Sequence, residues 1–266
     1  MQNEGAVGSV MAYNFLVDDY YVTPTDILWQ QSSSYDHNVG DQFLLYEGNE
    51  GVGAIGEDLH GTADFTTYFR NYWHGRDPNG GSNGGKTEDT NRIQIQAYSR
   101  FYNIVGNVLG TATYHNNYDV KPSSQLDTGN AHSDTSIYSF AYSGVRGTRD
   151  NTGNNLNNDM VAYGTHLRWG NYDTVNGQPQ WNSSEVPTGR TLGNPQYGNI
   201  LPQTQNLQSM PSWFLGAQPS SWWNTPWGAP NWPPIGPDVT NGNAYGSAGS
   251  DALVGGHAWD IPAALC

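Results

Sequence analysis

Basic charge is scarce: ten Lys and Arg stand against 24 Asp and Glu, a formal net charge of −14. Such a chain repels nucleic acid and anionic membrane surfaces, and neither is expected as a partner. An acidic polysaccharide would be repelled as well unless a cation such as Ca²⁺ bridged it, so neutral glycans fit better. Charge of either sign is low at 13%, and apolar residues make up 36%, against norms of about 25% and about 45–50%. No run of 18 apolar residues is present, which excludes a hydrophobic membrane-spanning helix. The single cysteine, Cys266, stands at the last position and cannot form an internal disulfide. The N-terminal MQNEGAVGSV lacks the basic and apolar regions of a signal peptide, so Met1 is read as an internal start with upstream strands supplied elsewhere.

In place of charge and aliphatics the chain carries 33 Gly, many Asn, Ser and Thr, 17 Tyr and 10 Trp. That mixture suits short strands with tight corners better than helices, and the aromatics argue against disorder. A short phrase recurs: Asn at the end of a strand-like run, at Asn14, Asn49, Asn71, Asn107 and Asn171. The successive intervals are 35, 22, 36 and 64 residues. An interval of 22 fits one repeat of a stacked architecture, in which repeats run roughly 20–45 residues, and the longer ones fit a repeat plus an insertion. Asn tolerates left-handed backbone and bonds local backbone groups, and stacked at one corner its side chains can bond one another. Residues 76–90, much of 116–135 and 148–158 are Gly/Asn/Asp-rich and read as those insertions.

Period-two patterning is clearest at residues 92–98, where Ile93, Ile95 and Ala97 form an apolar face and Arg92, Gln94, Gln96 and Tyr98 a polar one. Residues 160–169 place His166 with Arg168 on a comparable outward face, whereas 23–42 read as a lateral loop. The fold expected is therefore all-β, a right-handed parallel β-helix over 1–175, followed by a Pro/Trp-rich irregular tail over 176–266 that packs on or caps it.

Leu44-Leu45-Tyr46-Glu47-Gly48-Asn49, Asp58-Leu59-His60-Gly61-Thr62, Ala97 through Gly110 and Pro233 through Val239 resemble secreted bacterial right-handed parallel β-helix repeat proteins of the pectate-lyase-like superfamily. The resemblance implies an extracellular, carbohydrate-active protein, a glycoside hydrolase or polysaccharide lyase. The alternative it implies is a non-catalytic structural or adhesive scaffold, a filament or tailspike-like glycan binder, with homo-oligomeric stacking or upstream strands at its open end. Neither the Ca²⁺-binding acids and base of the lyases nor the Asp cluster of the polygalacturonases is intact, so no catalytic residue carries over.

From the residues themselves, the candidate catalytic group is Glu47, Glu57, Asp58, His60 and Arg70. Glycoside hydrolysis needs two carboxylates, and elimination needs a base with charge stabilisation. The same residues could equally cap turns and pair with one another. Glu57, Asp58 and His60 could hold a metal, but their spacing is unspecific, so no metal ligand is assigned and Ca²⁺ is the only cofactor considered. Expected substrate contacts are Gln94, Gln96, Tyr98 and Arg100, with Trp222, Trp223 and Trp227 of the tail, whose rings either stack on sugars or pin the tail down.

Overall fold

The computed structural model describes residues 1–16, 19, 28–76, 86–127, 134–144, 156–189, 201 and 235–237. Among them the chain is nearly all β, with 3₁₀ turns at Ala162–Thr165 and Ser183–Glu185. No described helix is long and apolar enough to cross a membrane.

The strands form three separate sheets. The first runs in the order β1 (Gln2–Asn3), β3 (Ser34–Asp36), β6 (Ala54–Gly56), β9 (Ile93–Ile95), β13 (Ser136–Phe140), β12 (Asn117–Val120). The second contains β2 (Val10–Ala12), β4 (Leu45–Glu47), β7 (Thr67–Phe69), β10 (Asn103–Val105) and β14 (Leu167–Trp169). The third contains β5 (Glu50–Gly51), β8 (Tyr72–Trp73), β11 (Val108–Leu109), β15 (Asn171–Asp173) and β16 (Gln178–Gln180). Every pairing of these strands is parallel except β15 with β16.

The expected right-handed parallel β-helix is thereby corrected: the strands divide into three separate sheets, and the described residues show no single solenoid. Two departures show why a uniform coil fails. β12 precedes β13 in the chain yet lies outboard of it, so the 116–135 insertion returns past the growing edge before the chain comes back to pair with β9. At the third sheet, Asn171–Asp173 folds back antiparallel on Gln178–Gln180, which ends the parallel succession. Recurrent corners specify parallel neighbours, but they do not dictate what an insertion does between them.

The corners themselves follow the Asn recurrence closely. The amide Nδ2 of Asn14 donates to Oδ1 of Asn49 (2.8 Å), Asn49 to Asn71 (3.0 Å), Asn71 to Asn107 (3.0 Å) and Asn107 to Asn171 (2.9 Å). The left-handed conformation, however, belongs to the residue before each Asn: Tyr13, Gly48, Arg70, Gly106 and Gly170 have φ between 53° and 68°. Asn supplies the bonds and its predecessor supplies the turn. At Gly48 a Cβ would come within 2.5 Å of the Tyr13 ring, so glycine is needed there for space as well as for φ. A second corner carries aromatics. Phe43, Phe65 and Phe101, also left-handed, stack with ring centroids 5.1 and 5.0 Å apart and planes 8° from parallel.

The three sheets share one core, to which the first contributes Ala54, Ile93, Ile95, Tyr138 and Phe140, the second Tyr46, Tyr68 and Ile104, and the third Trp73 and Leu109. Polar groups enter it in pairs. Buried Asp36 accepts from the hydroxyls of Tyr46 (2.5 Å) and Tyr102 (3.1 Å), so its carboxylate is satisfied without a cation. Arg168 and His166, expected to face outward, are buried, and the Arg168 guanidinium lies about 5 Å from the rings of Tyr118, Tyr138, Phe140 and Tyr163 while pairing with Asp119 at 3.0 Å. Arg92 is likewise buried, donating to the Val52 carbonyl (2.8 Å).

The tail beyond 175 is described only in part. Leu201 and Ile235 are buried, and the Ile235 carbonyl accepts from Arg70 Nη1 at 3.1 Å. Trp222, Trp223 and Trp227 lie outside the described residues.

Candidate functional site

The first sheet aligns its strands residue for residue: Gln2 opposite Tyr35, Tyr35 opposite Ile55, and Ile55 opposite Gln94. Since side chains alternate across a strand, these four share one face, and Asn3, Asp36, Gly56 and Ile95 point the other way. The pairing continues one residue past the strand ends, with Glu57 N donating to Asp36 O (3.3 Å) and Gln96 N to Gly56 O (2.8 Å). His37, Glu57 and Gln96 therefore form a second row on the same face as Tyr35, Ile55 and Gln94.

A cleft of about 730 Å³ lies over these two rows. Its floor is Tyr35, Ile55, Gln94, His37, Glu57 and Gln96, and its walls include Asp19, Trp29, Gln31, His60 and Asp89. That volume is within the roughly 300–1,000 Å³ typical of ligand clefts. No Lys or Arg is among the described residues that line it. Trp29 is fixed by its indole N–H on Asp89 Oδ2 (2.9 Å), and Asp19 accepts a short hydrogen bond from Ser33.

Glu57 is the hub. Its Oε1 lies 2.5 Å from His60 Nδ1 and 2.9 Å from His37 Nδ1, and its Oε2 accepts from Tyr35 OH at 2.8 Å. The carboxylate is almost fully buried, while His60 is exposed. The two imidazoles lie 4.3 Å apart centre to centre, and Tyr35 stacks on His37 at 4.8 Å. Asp58, next in the chain, turns beneath: its Oδ1 accepts from Gly144 N (2.9 Å), its own N–H donates to Gln96 Oε1 (2.9 Å), and burial pushes its carboxyl up to about 6.

Of the residues singled out from sequence, Glu57, His60, Gln94 and Gln96 line the cleft and Asp58 borders it. Glu47 and Arg70 do not. Glu47 ends β4 in the second sheet, buried and accepting from Tyr13 OH (2.9 Å), and Arg70 is buried at the Asn71 corner. Tyr98 is left-handed and exposed off the cleft, because the chain leaves the strand after Gln96. Arg100 pairs with Asp159 at 2.7 Å, also outside the cleft. Trp29, Tyr35 and His37 were missed from the sequence, since residues 23–42 read there as a loop. The signal was the alternation Ser34-Tyr35-Asp36-His37, hidden because the inward residues are Ser and Asp.

Comparison of the chain with protein-family models, with curated proteins and with solved structures gives no match, so no family is assigned.

Proposed function

We propose that the cleft on the first sheet binds a neutral, extracellular glycan and that the protein is a glycan-degrading hydrolase. The observation that carries this reading is the cleft's lining: an anchored Trp and a Tyr beside Gln31, Gln94 and Gln96, with carboxylates on the walls and no Lys or Arg among the described lining residues. Amide side chains both donate and accept, as sugar hydroxyls require, and aromatic faces suit the apolar faces of pyranose rings. A uronate chain would need a cationic side chain or a bound cation to balance its carboxylates, and no Lys or Arg is among the described lining residues, which favours a neutral substrate and hydrolysis. Hydrolysis needs two carboxylates about the scissile bond, and the described lining offers Asp19, Glu57 and Asp89.

The test is a panel of neutral and acidic polysaccharides, followed by calorimetry for binding, by reducing ends for hydrolysis and by ultraviolet absorbance for unsaturated products. Binding and reducing ends with a neutral glycan are expected, and both should fall about tenfold or more in Trp29→Ala. Folded protein that binds none of the panel overturns the reading, and binding without product leaves a glycan-binding scaffold in its place.

A further inference from the structure

Three side chains at the centre of the cleft make an arrangement that glycan binding does not call for. His37 and Glu57 occupy aligned positions just past β3 and β6, and the turn from Glu57 to His60 swings a second imidazole back over the same carboxylate. One candidate ligand atom from each, a ring nitrogen of either His and a carboxylate oxygen of Glu57, lies within 4.8 Å of the other two. The His37 nitrogen is the telling one. It is shut off from solvent 2.9 Å from Glu57 Oε1, yet off the angle of a hydrogen bond, and it has no hydrogen-bond partner. A buried polar atom left so is destabilising.

We infer that His37, Glu57 and His60 bind a divalent transition-metal cation of the Zn²⁺ class, through His37 Nδ1, His60 Nδ1 and Glu57. A lone pair from each imidazole and the carboxylate charge converge on one point, and the cation replaces the unmet His37 contact. Zinc lies about 2.0–2.2 Å from such ligands, which places tetrahedral ligand atoms roughly 3.3–3.5 Å apart. The present separations bracket that spacing, with 2.5 and 2.9 Å to Glu57 and 4.8 Å as the upper bound.

The surroundings agree. Tyr35 OH holds the other oxygen of Glu57, as an outer-shell donor does for a ligating carboxylate, and its ring packs on His37. Asp19 and Asp89 supply negative charge from the walls, and no Lys or Arg among the described lining residues competes with a cation. Two imidazoles with one carboxylate suit Zn²⁺, Co²⁺ or Ni²⁺; Ca²⁺ and Mg²⁺ prefer oxygen ligands throughout. All three residues line the cleft, so a fourth position opens into it, where a water or a ligand oxygen can bind. The inference goes beyond the glycan reading and does not depend on it.

The test uses the full chain, stripped with a chelator and titrated calorimetrically with Zn²⁺, Co²⁺, Ca²⁺ and Mg²⁺ in the absence of any glycan. One Zn²⁺ per chain is expected, with a visible ligand-field band for Co²⁺ and no comparable binding of Ca²⁺ or Mg²⁺. His37→Ala and His60→Ala should each weaken Zn²⁺ about 100-fold or more, and Tyr35→Phe about 10–100-fold. Neither imidazole lies in the core, and circular dichroism with a melting curve confirms that the variants fold. Because the chain has seven His and one Cys, the double variant H37A/H60A is the deciding control. Absence of stoichiometric Zn²⁺ binding overturns the inference, and so does a double variant that binds as tightly as the parent.

Discussion

Replacing Asn71 with Ala removes the centre of the amide column. Its Oδ1 accepts from the Asn49 backbone N–H and from Asn49 Nδ2, both at 3.0 Å, and its Nδ2 donates to Asn107 Oδ1 (3.0 Å) and to the Tyr46 carbonyl (2.9 Å). All four bonds are buried. Two of the former partners keep a second bond: Asn49 Nδ2 still reaches the Met11 carbonyl, and Asn107 Oδ1 still receives the Asn71 backbone N–H. The Asn49 N–H loses the acceptor it uses. At about 0.5–1.5 kcal/mol per bond, with the extra cost of a stranded buried donor, the loss comes to roughly 3–5 kcal/mol. That is a large part of the ~5–15 kcal/mol that holds a domain together. Asn14→Ala, at the partly buried end, gives up only bonds to Asn49 Oδ1 and the Ala12 carbonyl, and should cost about 1 kcal/mol. Guanidinium unfolding followed by both fluorescence and circular dichroism measures the two, coincidence of the probes being the check on two-state behaviour. If N71A lies within about 1 kcal/mol of the parent, or matches N14A, the column is not a stabilising element and the argument fails.

Burial holds the carboxyls of Asp36 and Asp58 up to about 6 and that of Glu50 well above its usual range. A raised carboxyl binds its proton more tightly folded than unfolded. Its stabilisation is therefore complete below the unfolded value of about 3.9 for Asp and is lost as pH rises through the folded one. The melting midpoint should fall from about pH 4.5 to about pH 7, less steeply in Asp36→Asn, and a midpoint that climbs over this interval would contradict the assignment. Asp159, lowered chiefly by its bond to Arg100, acts in the opposite sense and limits the gain on the acid side. Gly75 has φ +72°, and a Cβ there would sit 0.7 Å from Arg92 Nη1. Gly75→Ala must therefore expel the buried guanidinium at a cost of roughly 2–4 kcal/mol, whereas Gly8→Ala, equally left-handed but in open space, should cost about 1 kcal/mol. Equal chemical-denaturation midpoints for the two would show that Arg92 yields freely.

The Asn column was legible because one residue type must recur wherever a side-chain amide bridges neighbouring chain segments. The left-handed residue before each Asn was harder to see: three are Gly, but Tyr13 and Arg70 carry no sign of φ > 0 in their chemistry. Gln94 and Gln96 were placed on the polar face by period two, and they do face the cleft. Arg92, assigned to that face by the same rule, is buried against Val52 because Gly75 leaves it room. His37 was lost for the opposite reason. Its strand turns Ser34 and Asp36 inward, where Asp36 is satisfied by two Tyr hydroxyls, so no apolar alternation marks the strand. Long-range partners of this sort, Asp36 with Tyr102 or Glu57 with His37, are set by register, which no local pattern fixes. The expected β-helix failed on the same ground, since strand order depends on where the insertions return.

The amide column also has a direction. Each Nδ2 and each backbone N–H of Asn14, Asn49, Asn71 and Asn107 points to the Oδ1 of the Asn that follows it in the chain, never to the one before. The group dipoles thus line up head to tail, as peptide units do along a helix, and each bond polarises the next. The Asn14 end presents carbonyl oxygen and the Asn171 end presents N–H, which Asn171 directs onto the Ile104 carbonyl at 2.7 Å. The stack therefore behaves electrically as a rod with a negative tip at Asn14, and a chain segment joining it there must bring a donor.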